Sequence, residues 1–576
     1  MLQIATGKLF TRPPSWQNLL RGMLYTNAYI AKGEVIETAA GKLLPSTSHS
    51  LRPFCLVYEF TERMEQEADG TPGIMVSSTV DPYLNDFAAL ASFALNCICT
   101  PDFDLARRLT GGERGLSTRV APQVLVRRFF NKEFFSEPGD LSFLSTFIDH
   151  VIGLHRGTFL GVMRAIRTYV NAMHRIADDL ELAYALLVAS VESLAQDFDG
   201  HPSDWDSVDE RKRRALDAAM EGVDDAAADH IRGAIVEFEH VALTRRFREF
   251  VIAHTTPFFF REAVEGKGRR LGKSDLVGVL NEAYNSRSRY VHNIQRLPPM
   301  VSLPHDHSEM IVDDRIVHLT LQGLSRLMRS VIIDFIMQQP TVDREPYDYR
   351  LEREGVIQAR MAPQYWVGNA DGNITKAGRD KLEDFLEQLE ACLLKQPAAA
   401  LTDMRPVLAV ATGFVPTTSL LLRRPYLALH VLFNLHVSEQ LRASMPPNVQ
   451  ALAERELDEP SPEALVAFAL YSQPISWPLT KHQETLDSYL RRRTSAKGLR
   501  LPRLFEAAIT LELAERYRDA GDMERCRAMV ALAVENHPGH DELLALEGKL
   551  ADETPIEWRA VLLPGPTIET PDPPAG

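Results

Sequence analysis

From Leu141 to about residue 550, apolar side chains return every three to four positions, and this period constrains the chain more than any other feature. Only a helix gathers residues so spaced onto one face, so most of the 576-residue chain is predicted to be α-helical. LSTFIDHVIGLH, GTFLGVMRAIRTYVNAMHRIA and ELAYALLVASVESLAQDF form three successive amphipathic segments. The acidic loop DGHPSDWDSVDE comes next, then AADHIRGAIVEFEHVALTRRFREFV and SDLVGVLNEAYNSRSRYVHN. A further long helix, DDRIVHLTLQGLSRLMRSVIIDFIMQQP, completes a bundle expected at about 155–340.

The first 80 residues read differently. GMLYTNAYIAKGEVIET alternates partly, with a turn at Lys32-Gly33, and FCLVYEF and GIMVSST are two more strand candidates. NDFAALASFALNCIC is the first clear helix, whereas RVAPQVLVRRFFNKEFF is ambiguous. A chain this long outgrows one core. The expected plan is mainly α: an α+β module at 1–150, a helical bundle at 151–340 and a helical C-terminal domain at 341–565. The Pro-rich tail, 566–576, has nothing to pack and is expected to be disordered.

Near the C-terminus, the spacing of Leu513, Ala514, Tyr517, Gly521, Ala533 and Pro538 resembles a tetratricopeptide repeat, a helix–turn–helix of about 34 residues. Cys526 replaces its usual alanine and Thr510 its usual tryptophan. One repeat is not stable alone, so the helices before it are expected to stack on it as divergent partners.

The net charge of −15, from 63 Lys+Arg against 78 Asp+Glu, argues against a protein that coats nucleic acid and confines any such contact to local patches. Five scattered cysteines read as reduced thiols. The start MLQIATGKLFTRPPSW lacks a signal peptide's basic and apolar regions, and the longest apolar stretch, Val407 to Leu422, is broken by Pro416, Thr417 and Thr418. A soluble cytoplasmic protein with no membrane contact is expected.

The helix beginning at Ser274, a potential cap, carries an apolar stripe of Leu276, Leu280, Ala283 and Tyr284. It then delivers Asn285, Arg287, Ser288, Arg289, His292 and Asn293. This ending, EAYNSRSRYVHN, resembles the signature of the HEPN superfamily, Arg followed after four to six residues by His late in a helical bundle; its wording is most similar to Apea-like HEPN proteins. ALLVASVESLAQDF, 227–250 and 307–338 are similar to the remaining family helices. The resemblance implies a four-helix-type bundle and a metal-independent endoribonuclease without cofactors. His292 would move the proton and Arg287 would hold the phosphoryl oxygens. It further implies a homodimer or higher oligomer with a composite site, and a regulated toxin of phage defence awaiting a protein or phage-derived trigger. Ser288 departs from the Asn, Asp or His that often follows the family's arginine.

The alternative is a non-catalytic dimerisation scaffold or sensor that binds a protein partner through its C-terminal helices. In that case Arg287 pairs with a carboxylate such as Glu282, and His292 caps the helix. The loop GKGRRLGKS brings Lys267, Arg269, Arg270 and Lys273 before the motif helix as candidate RNA contacts, with Asn285, Ser288, Arg289 and Asn293. It lacks the first Walker glycine and is not read as a nucleotide loop. A second basic run, Arg491 to Arg503, reads as a solvated loop between helices, with contact to RNA or an acidic partner as the alternative. No metal site is assigned to Cys97/Cys99 or to His305-Asp306-His307.

Overall fold

Strand alternation in the first 65 residues becomes a real sheet in the computed structural model. The structure describes residues 2–563 apart from 32, 47–51, 67–78, 113–119, 133, 199–204, 206–207, 209, 239–242, 263–267, 346, 348, 350–351, 353–361, 368–373, 496 and 551–554. Strand Pro14–Thr26 pairs antiparallel with Phe54–Glu65, in a register that sets Leu24 opposite Leu56 and Gly22 opposite Tyr58. Ile36–Thr38 and Gly41–Pro45 extend one side and Cys99–Thr100 the other. Leu56, Tyr58, Phe60, Glu62 and Met64 point inward at every second position, as a half-buried strand requires. Helix Asp81–Leu95 comes close to Gly22, where a Cβ would fall 2.9 Å from the Leu84 side chain.

The first strand begins earlier than expected. The candidate GIMVSST lies outside the described residues except for Thr79, which is in no strand, and so does the tail. The ambiguous RVAPQVLVRRFFNKEFF contributes a short helix, Pro122–Leu125, and the two-residue strand Phe134–Phe135.

The chain as a whole is mainly helical with this small N-terminal sheet. It divides into two units, 1–358 and 359–576. In the first, helices Pro138–Gly153, Arg156–Arg175 and Leu180–Phe198 stand where the periodicity put them. Leu180–Phe198 is the hub. It packs on Arg156–Arg175, Leu243–Ala253, Leu276–Asn293 and Leu321–Gln338, with Ala183, Ala185, Ser190 and Ala195 giving its neighbours room.

Two expected helices are described differently. In the segment 227–250 the structure describes helices Asp225–Phe238 and Leu243–Ala253, and 239–242 lie outside the described residues. The segment 307–338 opens as a hairpin, Met310–Asp313 with Ile316–Leu319, before a helix capped by the Thr320 hydroxyl, which accepts from the Gly323 amide at 3.1 Å. The expected boundary near 150 falls inside one continuous core that runs from Leu2 to Ile336. Gln3 donates to the carbonyls of Ile152 and Leu154, and Phe93 packs edge-on to Tyr169 at 5.1 Å.

The second unit is a succession of helices from Pro363–Trp366 to Trp558–Leu562 around its own core. Val407–Leu422 is split between helix Arg405–Phe414, a 3-10 turn and the start of Leu420–His436. No helix among the described residues is long and apolar enough to cross a membrane. Arg503–Asp519 and Met523–Asn536 form the expected helix–turn–helix, turning at Gly521 with φ +78° and closing on buried Ala514, Cys526, Val530 and Ala533. Its first helix starts seven residues before Thr510.

Candidate functional site

The motif helix runs unbroken from Leu276 to Asn293. A 3-10 turn over Lys273–Asp275 leads into it, so Ser274 lies inside the first turns and does not cap; the Gly272 amide donates instead to the Asp275 carboxylate at 3.3 Å. Val279, Leu280, Ala283 and Tyr284 are buried, and this face packs on the hub helix.

Arg287 is held by that helix. Its Nη2 lies 2.7 Å from Oε2 of Glu192, while the Tyr284 hydroxyl donates to Oε1 at 2.9 Å. The guanidinium sits 5.6 Å from the centre of the Tyr284 ring. The Glu192 side chain is 4% exposed and that of Arg287 22%, so the pair is shielded but keeps an edge to solvent. Burial, followed by the Glu192 charge, pushes the Tyr284 phenol well above its ordinary range, which keeps it a donor. The expected partner of Arg287, Glu282, binds Arg289 instead and also accepts from the Ser286 hydroxyl at 3.3 Å. The reason is helical spacing: residues seven apart lie nearly over one another, while residues five apart are about 140° apart.

That geometry sorts the candidate residues. His292, Asn285, Ser288, Arg289 and Asn293 share the outward half of the helix, with Ser288 half-buried and the others exposed. Arg287 faces the opposite way, about 7.5 Å back along the axis from His292. His292 makes no hydrogen bond or ion pair among the described residues, and it does not cap the helix. The helix ends at Asn293, and its C-cap Ile294 adopts φ +52° and donates to the Tyr290 carbonyl at 2.8 Å.

The basic loop does not join this face. Lys267 lies outside the described residues; Arg269, Arg270 and Lys273 are exposed at the opposite end of the helix, about 24 Å along the axis from His292. The loop is strapped down there. The Arg269 amide donates to the Ser308 hydroxyl at 3.0 Å, and the Leu271 amide to buried Glu309 at 2.8 Å, which Arg326 also binds at 2.7 Å.

His305 and His307 each spend a ring nitrogen on a backbone carbonyl, of Met300 and Gln123, and do not converge. Cys97 is buried, and its thiol is pushed up to about 12 by that burial.

Sequence reasoning missed Glu192. Its signal was available: a lone carboxylate in the apolar run ALLVASVESLAQ has to find a partner or leave the core. Compared with protein-family models, curated proteins and solved structures, the chain matches none.

Proposed function

We propose that the chain is a metal-independent endoribonuclease of the HEPN type. One observation supports this above the rest: an imidazole open to solvent at a helix end, on one face with the hydrogen-bonding side chains of Asn285, Ser288 and Arg289. His292 would take the proton of a ribose 2′-hydroxyl as that oxygen attacks the adjacent phosphorus. The P–O5′ bond breaks, the 5′-oxygen regains a proton, and the products are a 2′,3′-cyclic phosphate and a 5′-hydroxyl.

Arg287 would steady the equatorial phosphoryl oxygens, with Glu192 as its positioning residue. Within one chain Arg287 and His292 point apart, so the reaction calls for a second copy that brings its own motif helix to the same phosphate. An unrestrained ribonuclease would destroy its host's RNA. The corresponding role is a cytoplasmic toxin of phage defence, held back by the sheet or the second unit until a trigger binds.

The test is purified chain with RNA in excess EDTA, beside His292→Gln and Arg287→Lys. Cyclic-phosphate ends that appear with wild type and fall about 100-fold or more in both variants support the reading. Equal cleavage by all three, or loss of cleavage in EDTA, overturns it. One observation favours a non-catalytic scaffold: the Arg287 charge is already matched by a shielded carboxylate, which is a structural use of the residue. A scaffold would leave RNA intact and still self-associate.

A further inference from the structure

Residues 488–505 hold six cations and no carboxylate, in a chain whose net charge is −15. The stretch connects helix Leu479–Arg492 to helix Arg503–Asp519 in the second unit, and described residues of the connection are held by backbone hydrogen bonds. The Ser495 amide donates to the Arg492 carbonyl at 2.9 Å and the Gly498 amide to Ser495 at 3.0 Å. Gly498 crosses so close to the end of the first helix that a Cβ would fall 2.0 Å from the Arg492 carbonyl oxygen. Leu499 and Leu501 are buried, which anchors the exit.

Three neighbouring carboxylates bind the backbone amides and the tyrosine of this stretch. Glu383 accepts from the Arg500 amide at 2.8 Å, Glu390 from the Leu504 amide at 3.1 Å, and Glu506 from the Tyr489 hydroxyl at 2.6 Å. Of the six cations, Arg493 alone is placed beside an acid, 3.4 Å from Glu506. Arg491, Arg492, Lys497, Arg500 and Arg503 are exposed and form no ion pair among the described residues. Arg503 occupies the first residue of its helix, where the dipole opposes a positive charge. Folding alone does not favour such crowding of like charge on one turn.

We infer that this turn is a docking surface for the phosphodiester backbone of single-stranded RNA. Four of the five exposed cations are arginines, whose planar forks grip phosphate oxygens in pairs and shed water more readily than an ammonium does. The same fork also grips a carboxylate, so the turn itself fits an anion with paired oxygens, and the choice of an RNA backbone over an acidic peptide rests on the ribonuclease reading above.

The experiment uses the full chain carrying His292→Gln, outside this surface, with fluorescein-labelled single-stranded RNA of about 20 nucleotides, followed by anisotropy across a salt series. Same-sequence DNA and a polyglutamate peptide are the other probes. Arg491→Gln/Arg492→Gln/Arg500→Gln should weaken RNA binding about 10-fold or more near physiological salt and reduce the log–log salt slope by about 2. The corresponding triple lysine variant should keep the slope, which separates lost charge from lost folding. Unchanged affinity and slope in the glutamine variant overturn the proposal, as does polyglutamate binding as tightly as RNA. DNA bound more tightly than RNA overturns the choice of RNA. A wild-type chain that cleaves nothing while its RNA affinity falls in the triple variant sinks the ribonuclease reading and supports this surface; cleavage with unchanged binding does the reverse.

Discussion

A charge buried in a helical bundle is stable only beside its partner, and Glu192 is such a charge. It serves Arg287 and Tyr284 together, so Glu192→Gln leaves the guanidinium facing a neutral amide in a shielded site. The expected loss is about 3 kcal/mol in urea unfolding. Arg287→Met combined with Glu192→Gln should cost less than the two single changes added, because no unpaired charge remains. Strict additivity would show the pair to be uncoupled.

His482 makes the opposite case, a base kept uncharged. It is fully buried, and its Nδ1 accepts from Arg516 at 3.1 Å. Burial, then the Arg516 charge, pushes its pKa down to about 3. The unfolded ring takes a proton near its ordinary value of 6.5 and the folded ring does not, so this stability is complete above about 6.5 and is lost as the pH falls toward 3. At pH 5 the loss from this group is about 2 kcal/mol. His174, lowered to about 4 by burial and then by Arg175 and Arg108, acts in the same direction. Thermal melts followed by tryptophan fluorescence should show Tm falling between pH 7 and 5, less steeply in His482→Gln; Trp477 lies 6.2 Å from the ring and reports on it. Parallel curves would exclude His482 as a cause.

At the scale of single elements, the ends of helices are where local sequence and observed structure part. The motif helix stops at Ile294, a β-branched residue in the left-handed region that is 76% exposed. Glycine there relieves the clash of Cβ with the backbone and gives up little burial, so Ile294→Gly should raise stability by about 1 kcal/mol, read as a higher Tm. A lower Tm would mean that Ile294 packs on something. The hairpin after Glu309 is the related case. Its turn residues Asp314 and Arg315 both have positive φ, at +42° and +67°, without the glycine that marks such a turn in sequence. Ile316, Val317, Leu321 and Leu324 also fit a helical repeat, which is why DDRIVHLTLQGL reads as helix. The pairing of Val312 with Val317 is settled by the strand opposite, not by local spacing.

Over the whole molecule, two cores divide the chain at 358/359, not at 150. Fragments cut at that boundary should each melt cooperatively, as followed by far-UV circular dichroism. A fragment 1–150 should aggregate, because the partners of Phe93 and Gln3 include Tyr169, Ile152 and Leu154. A cooperative melt of 1–150 would contradict the single core.

The sequence by itself determined the helical class, most helix positions, the sheet at the start, the helix–turn–helix at Gly521 and the polar ending of the motif helix. The helices, the turn and the strand alternation rest on spacing within a few residues, which a period of 2 or 3.6 encodes directly, whereas the pairing of Pro14–Thr26 with Phe54–Glu65 does not. Only the tertiary structure decided that Arg287 turns inward to Glu192, 95 residues away, while His292 stays outside. It also decided that the basic loop lies at the far end of its helix, that the Arg491–Arg503 turn is pinned through its backbone amides by Glu383 and Glu390, and that the sheet and the bundle share one core. Those outcomes depend on which distant faces meet. Helical spacing says where a side chain stands on its own axis, but the neighbour it meets is chosen by packing.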